Sequence, residues 1–110
     1  MIKVRNMESP RSGRPVANQY VISDDHKMTF QSYDSMIVDI DFGKSIVTFG
    51  KDWNYSTTTG KYRNEFLRMY LPSLADGKKL KELEKIARAM DNNQFEYQIG
   101  AFIYTIKFEF

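Results

Sequence analysis

The chain has 110 residues, 42% of them hydrophobic and 15% aromatic, enough for one domain with one core. It has no cysteine and a single histidine, His26, which excludes disulfides, thiolate metal sites and multi-histidine centres. The net charge is only +2, and no apolar run reaches the roughly 20 residues that a membrane helix needs. No apolar leader occupies the first twenty positions, so an intracellular, soluble protein without a membrane partner is expected.

Residues 2–7 alternate apolar and polar side chains, the period of a half-buried strand. Residues 8–15 hold two Pro, one Gly and two Ser and read as a loop. A second strand is predicted from Val16 to Ile22, with Asn18 and Gln19 as polar interruptions. Ser23, Asp24, Asp25 and His26 form a polar turn, and residues 27–33 a third strand. Met36, Val38, Ile40 and Phe42 share one face of the next strand, while Asp39 and Asp41 point the other way. Gly43 and Lys44 turn the chain into residues 45–49, completing a five-strand antiparallel meander.

Helical spacing takes over afterwards. Thr57, Thr58 or Thr59 is placed to cap a helix whose apolar face is Tyr62, Phe66, Met69 and Tyr70. Pro72 ends it. Ser73 or Asp76 caps a second helix with the stripe Leu80, Leu83, Ile86, Ala87 and Met90, and Glu84 and Arg88 are spaced to pair. Phe95, Tyr97 and Ile99 alternate. The phase shifts at Gly100 to Phe102, Tyr104, Ile106, Phe108 and Phe110, through a bulge or a turn. The prediction is an α+β fold: an antiparallel sheet of five to seven strands with two helices packed on one face. A last strand left unpaired would offer its edge for a homodimer.

Enzyme chemistry finds little support. Phosphate-binding glycine motifs do not occur. Asp39 and Asp41 are too few for a hard-cation site, and His26 sits in a polar turn next to two Asp, where a histidine is ordinarily surface decoration. No catalytic residue, metal or cofactor is assigned. Charge is uneven: residues 1–19 carry four basic groups against one acid, and residues 61–90 carry eight against four. The two basic regions would form one face if they met in space.

Two polar stretches could recognise a partner. The loop presents Arg11 and Arg14, whose forks suit carboxylate or phosphate. Residues 53–64 interleave Trp53, Tyr55, Lys61 and Arg63 with hydroxyls, a composition that suits a protein interface or base stacking. A lone Trp in a small domain is also commonly a lid on the core.

These stretches carry a resemblance. Arg5-Asn6-Met7-x-Ser9-Pro10-Arg11-Ser12-Gly13-Arg14 and Val16-Ala17-Asn18-Gln19 resemble the opening of a family of small, functionally uncharacterised proteins from phages and mobile elements of Gram-positive bacteria. Phe30-Gln31-Ser32-Tyr33-x-Ser35 and Trp53-x-Tyr55-Ser56-x-Thr58-Thr59-Gly60-Lys61-Tyr62-Arg63-Asn64-x-Phe66-Leu67 are similar to its later blocks. The resemblance spans residues 3–67, and within a single domain it sets a family-like part, 1–71, against an extension, 72–110. It implies a phage origin and work in the cytoplasm of a bacterial host cell. By analogy with small phage accessory proteins, the expected function is non-enzymatic inhibition of a host defence protein, such as a CRISPR effector, through Arg11, Arg14, Trp53, Tyr55, Lys61 and Arg63. The alternative is nucleic-acid binding, adding Lys78, Lys79, Lys81, Lys85 and Arg88.

Overall fold

The computed structural model describes residues 1–110. Five strands follow one another as antiparallel neighbours: β1 (Ile2–Glu8), β2 (Pro15–Asp24), β3 (Lys27–Ser32), β4 (Ser35–Asp41) and β5 (Ile46–Phe49). Helix α1 (Thr57–Tyr70), a 3-10 turn (Pro72–Leu74) and helix α2 (Gly77–Arg88) then cross one face of the sheet. The chain returns as β6 (Gln94–Ile99) and β7 (Phe102–Phe108), giving the seven-strand order β1-β2-β3-β4-β5-β7-β6. This is the α+β fold expected from the period-two and helical patterns. One pairing departs from a purely antiparallel sheet: β7 lies parallel to β5, Ile46 beside Thr105 and Phe49 beside Phe108. A helical crossover is the ordinary way to make such a pair.

The last strand is therefore not an edge. Residues 105–107 pair with β5 on one side and β6 on the other, so they are closed to a copy. The free edges are β1 and β6. Gly100, at φ +61°, makes the shift a turn between β6 and β7 rather than a bulge.

The core lies between sheet and helices. Phe30 stacks on Phe66, and Phe49, Trp53 and Phe108 form an aromatic cluster with centroids 4.8–6.1 Å apart. Two bulges adjust which side chains enter it. In β4, Val38 pairs with Phe30 but Met36 with Gln31, so Ile37 is the extra residue and both Ile37 and Val38 are buried. Met36 is only half-buried, and Phe42, beyond the last rung, is exposed; neither joins the face expected for it. In β2, Asn18 adopts φ +64°, which Asn tolerates better than most residues, and Gln19 then turns inward beside Met7.

The helices also differ from expectation in detail. Ser56, not a threonine, caps α1 by accepting from the Thr59 amide at 3.1 Å. Asp76 caps α2, while Ser73 lies within the 3-10 turn. Leu80, Leu83 and Ala87 are buried, but Ile86, Met90 and, on α1, Met69 are exposed. Each helix touches the sheet through a narrower strip than its apolar residues span. Glu84 and Arg88 approach to 3.8 Å.

Candidate interaction site

The β1–β2 loop, the Tyr33-Asp34 turn and the β5–α1 segment all project from one end of the sheet, because β1, β3 and β5 run in the same direction. The β5–α1 segment begins at Gly50. A side chain there would stand 2.0 Å from the Met36 carbonyl oxygen, so only glycine lets the chain pass the β4 bulge. Trp53 then drops into the core at 4% exposure, and its indole N–H donates to Glu84 at 3.0 Å.

Arg63 sits over the Trp53 ring at 5.0 Å and is 2% exposed. Its guanidinium donates to the Trp53 carbonyl at 3.0 Å, to Asn54 Oδ1 at 3.2 Å and twice to Asn64 Oδ1, at 3.2 and 3.0 Å. No carboxylate pairs with it. Burial lowers its pKa to about 10, so it remains a cation at neutral pH. Gly60 and Gly77 leave room for the fork; a β-carbon at Gly77 would lie 3.3 Å from it. Trp53 and Arg63 thus cannot be contact residues. They are the internal scaffold of the segment, as the core-lid reading of Trp53 has it.

What the scaffold presents is a cleft of about 400 Å³ lined chiefly by hydroxyl and carboxylate side chains. Ser32 and Thr59 join hydroxyls at 3.1 Å, and Ser35 donates to Asp52 at 2.9 Å, binding the β3–β4 turn to the helix start. Two tyrosines stand on this cleft, Tyr33 at 54% and Tyr55 at 72% exposure. Tyr33 holds φ +53°, an unusual conformation for a bulky residue and of a kind that concentrates at functional sites. Sequence reasoning missed Tyr33, Asp34 and Asp52 as site residues. The Tyr-Asp pair between Ser32 and Ser35, at a hairpin turn, was the available signal.

Arg11 and Arg14 are exposed on the β1–β2 loop. That loop closes on itself: Gly13 N–H donates to the Ser9 carbonyl at 2.8 Å, and the Ser9 and Ser12 hydroxyls accept from the Arg11 and Arg14 amides. Lys61 is exposed, 5.3 Å from the Tyr62 ring centre. On α2, Lys78, Lys81, Lys85 and Arg88 are exposed, whereas Lys79 bonds the Ser73 carbonyl. Arg88 lies 3.8 Å from the Phe110 ring centre. Since α2 packs on β6 and β7, about five strand spacings, roughly 24 Å, separate this stripe from the β1–β2 loop. The α2 stripe and the β1–β2 loop do not form one face; the two basic regions meet only where Arg5 reaches Tyr70 of α1.

On the uncovered face of the sheet, Asp39 accepts from Thr29 at 2.6 Å and faces Lys27, and Asp41 accepts from the Lys44 amide at 2.9 Å. His26 is exposed in its turn. No three His, Asp or Glu side chains converge.

Comparison with protein-family models matches residues 2–85 to a family of unknown function, DUF8033. The chain belongs to that family. The match runs beyond Leu67 and covers α1 and most of α2, so the family pattern includes the helical layer. No curated protein and no solved structure matches. No helix is long and apolar enough to cross a membrane.

Proposed function

We propose that this DUF8033 member is a non-enzymatic binding protein that engages a host protein through the loop end of its sheet, with Arg11, Arg14, Tyr55 and Lys61 as contacts and Tyr33 added to them. The carrying observation is a division of labour in one segment. Trp53 and Arg63 are consumed in holding it, while Tyr55 is left exposed on the cleft it shares with Tyr33, at the end of the sheet that also carries the self-closed arginine loop. Tyr and Arg are the residue types that dominate protein interfaces, and a rigid support lowers the ordering cost of binding. The hydroxyls of Ser32, Ser35, Ser56 and Thr59 are engaged with one another or with Asp52, a structural use. The phage origin implied by the resemblance supports a bacterial defence protein, such as a CRISPR effector, as the partner, met in the host cytoplasm.

The test is a pull-down from a Gram-positive host lysate, with and without nuclease. A specific protein partner retained after nuclease, and lost with Tyr55→Ala or with Arg11→Ala and Arg14→Ala together, supports the reading. Recovery of nucleic acid alone overturns it. That second outcome would favour the α2 stripe, because Lys78, Lys81, Lys85 and Arg88 stand at the i, i+3, i+7, i+10 spacing of one exposed helix face. Affinity would then fall steeply and linearly on a log–log salt plot.

A further inference from the structure

The uncovered face of the sheet is not uniform. From β3 to β7 it carries chiefly Thr29, Asp39, Thr48, Thr105 and Lys107, with Ile46 and Ile103 as single apolar positions among them. Towards β1 it becomes apolar. Ile2 and Val4 are 64% and 61% exposed, and Val4 pairs with Ile22 across the strands. This apolar strip ends on a strand that is hydrogen-bonded on one side only.

The opposite face of β1 is cationic. Arg5 pairs with the buried Val21 and donates to the Tyr70 hydroxyl of α1 at 3.1 Å, so it points to the helix side, and Lys3 shares that side by alternation. Both are exposed, and neither has an ion-pair partner. The nearby Glu65 is already taken by Arg68. Cations on an edge strand ordinarily discourage self-pairing. They do so here: an antiparallel copy centred on Val4 would set Lys3 against Arg5 of its mate, and like charges directly opposite are destabilising.

We propose that the edge of β1 accepts an extended segment of a partner protein as an eighth strand, and that this segment alternates apolar and acidic residues. Backbone pairing supplies the common part of the affinity. The apolar side chains extend the Ile2 and Val4 strip, and the acidic ones meet Lys3 and Arg5. The edge is separate from the loop-end contacts, so the two readings stand or fall independently.

The probe is a fluorescein-labelled eight-residue peptide of alternating Val and Glu, followed by anisotropy and by amide shifts in the NMR spectrum of the 15N-labelled protein. Saturable binding with shifts centred on residues 2–8 is expected. Lys3→Glu with Arg5→Glu should weaken it by about tenfold or more, two opposite-charge contacts being reversed. Both positions are exposed, and an unchanged melting curve verifies the fold of the variant. Tyr55→Ala should leave peptide affinity unchanged. A Val-Lys peptide, a peptide with the same residues in two blocks, and a Val-Glu peptide methylated on every backbone nitrogen should each bind at least about tenfold more weakly. Equal binding of the block or methylated peptide would reduce the interaction to diffuse charge and overturn the proposal. So would absence of β1 shifts, shifts produced by a single-stranded oligonucleotide but not by the peptide, or a concentration-dependent dimer that covers the edge.

Discussion

The Trp53–Asn64 stretch, which runs from the β5–α1 segment into α1, and the β1–β2 loop start from the same end of the sheet and use similar residues: arginine, serine, glycine and a polar majority. Their arginines have opposite fates. Arg63 is enclosed, hydrogen-bonded to a carbonyl and two asparagine side chains, and covers an indole. Arg11 and Arg14 project from a loop that satisfies its own backbone. The difference teaches that a basic residue within an aromatic stretch is not evidence of a basic surface. An arginine can serve as a framework for irregular backbone, because its planar fork meets several acceptors at once.

The sharpest way to break that contrast is Arg63→Ala. It leaves three acceptor groups without their donor and opens a cavity beside Trp53, so a loss of about 3–4 kcal/mol is expected in chemical denaturation. A loss below about 1 kcal/mol would show that relief of the buried charge dominates. Thr59→Val is expected to cost about 1–2 kcal/mol, since it orphans the buried Ser32 hydroxyl while keeping the side-chain shape. The charge on Arg63 can also be read through pH. Its folded pKa is lowered to about 10, below that of the same group in the unfolded chain, so the unfolded chain binds more protons once the pH exceeds about 10. Measured against Arg63→Met, wild-type stability should be flat below about pH 9 and gain as pH rises through 10. A gap that shrinks on raising the pH would contradict the assignment. The smallest effect belongs to the other loop: Arg11→Ala with Arg14→Ala should change stability by no more than about 0.5 kcal/mol, while partner capture is lost.

Much of the fold was legible because it is local. Each of the first four hairpins joins neighbours in the chain, and period-two alternation with turn residues marks it. The two helices announce themselves by Pro72, Asp76 and the spacing of Leu80, Leu83 and Ala87. What escaped is non-local. Gln19 shares the face of Val21 by alternation, but its polar side chain conceals that it enters the core, where its side-chain carbonyl oxygen remains without a partner. Nothing near Met36 says that Ile37 will be the extra residue, although Gly50 is the distant trace of that bulge. Ile86 and Met90 fit the helical stripe yet stay exposed, because stripe width is set by the sheet beneath and not by the helix. In the candidate site, the Phe30–Ser35 and Trp53–Leu67 sequence blocks were visible separately. Their union through Ser32 and Thr59 depends on the hairpin folding back beside the helix start, a relation between residues 27 positions apart.

The parallel β5–β7 pairing has a consequence for how the protein is made. Ile46 waits for Thr105, a partner about sixty residues further along the chain. At roughly 5–20 residues per second, synthesis takes several seconds to deliver that partner after β5 has left the ribosome. Through that interval the nascent sheet ends on β5, with Val47 and Phe49 uncovered and an entire row of peptide groups open. This transient edge, buried in the finished molecule, is where mispairing between neighbouring nascent chains on one messenger would begin.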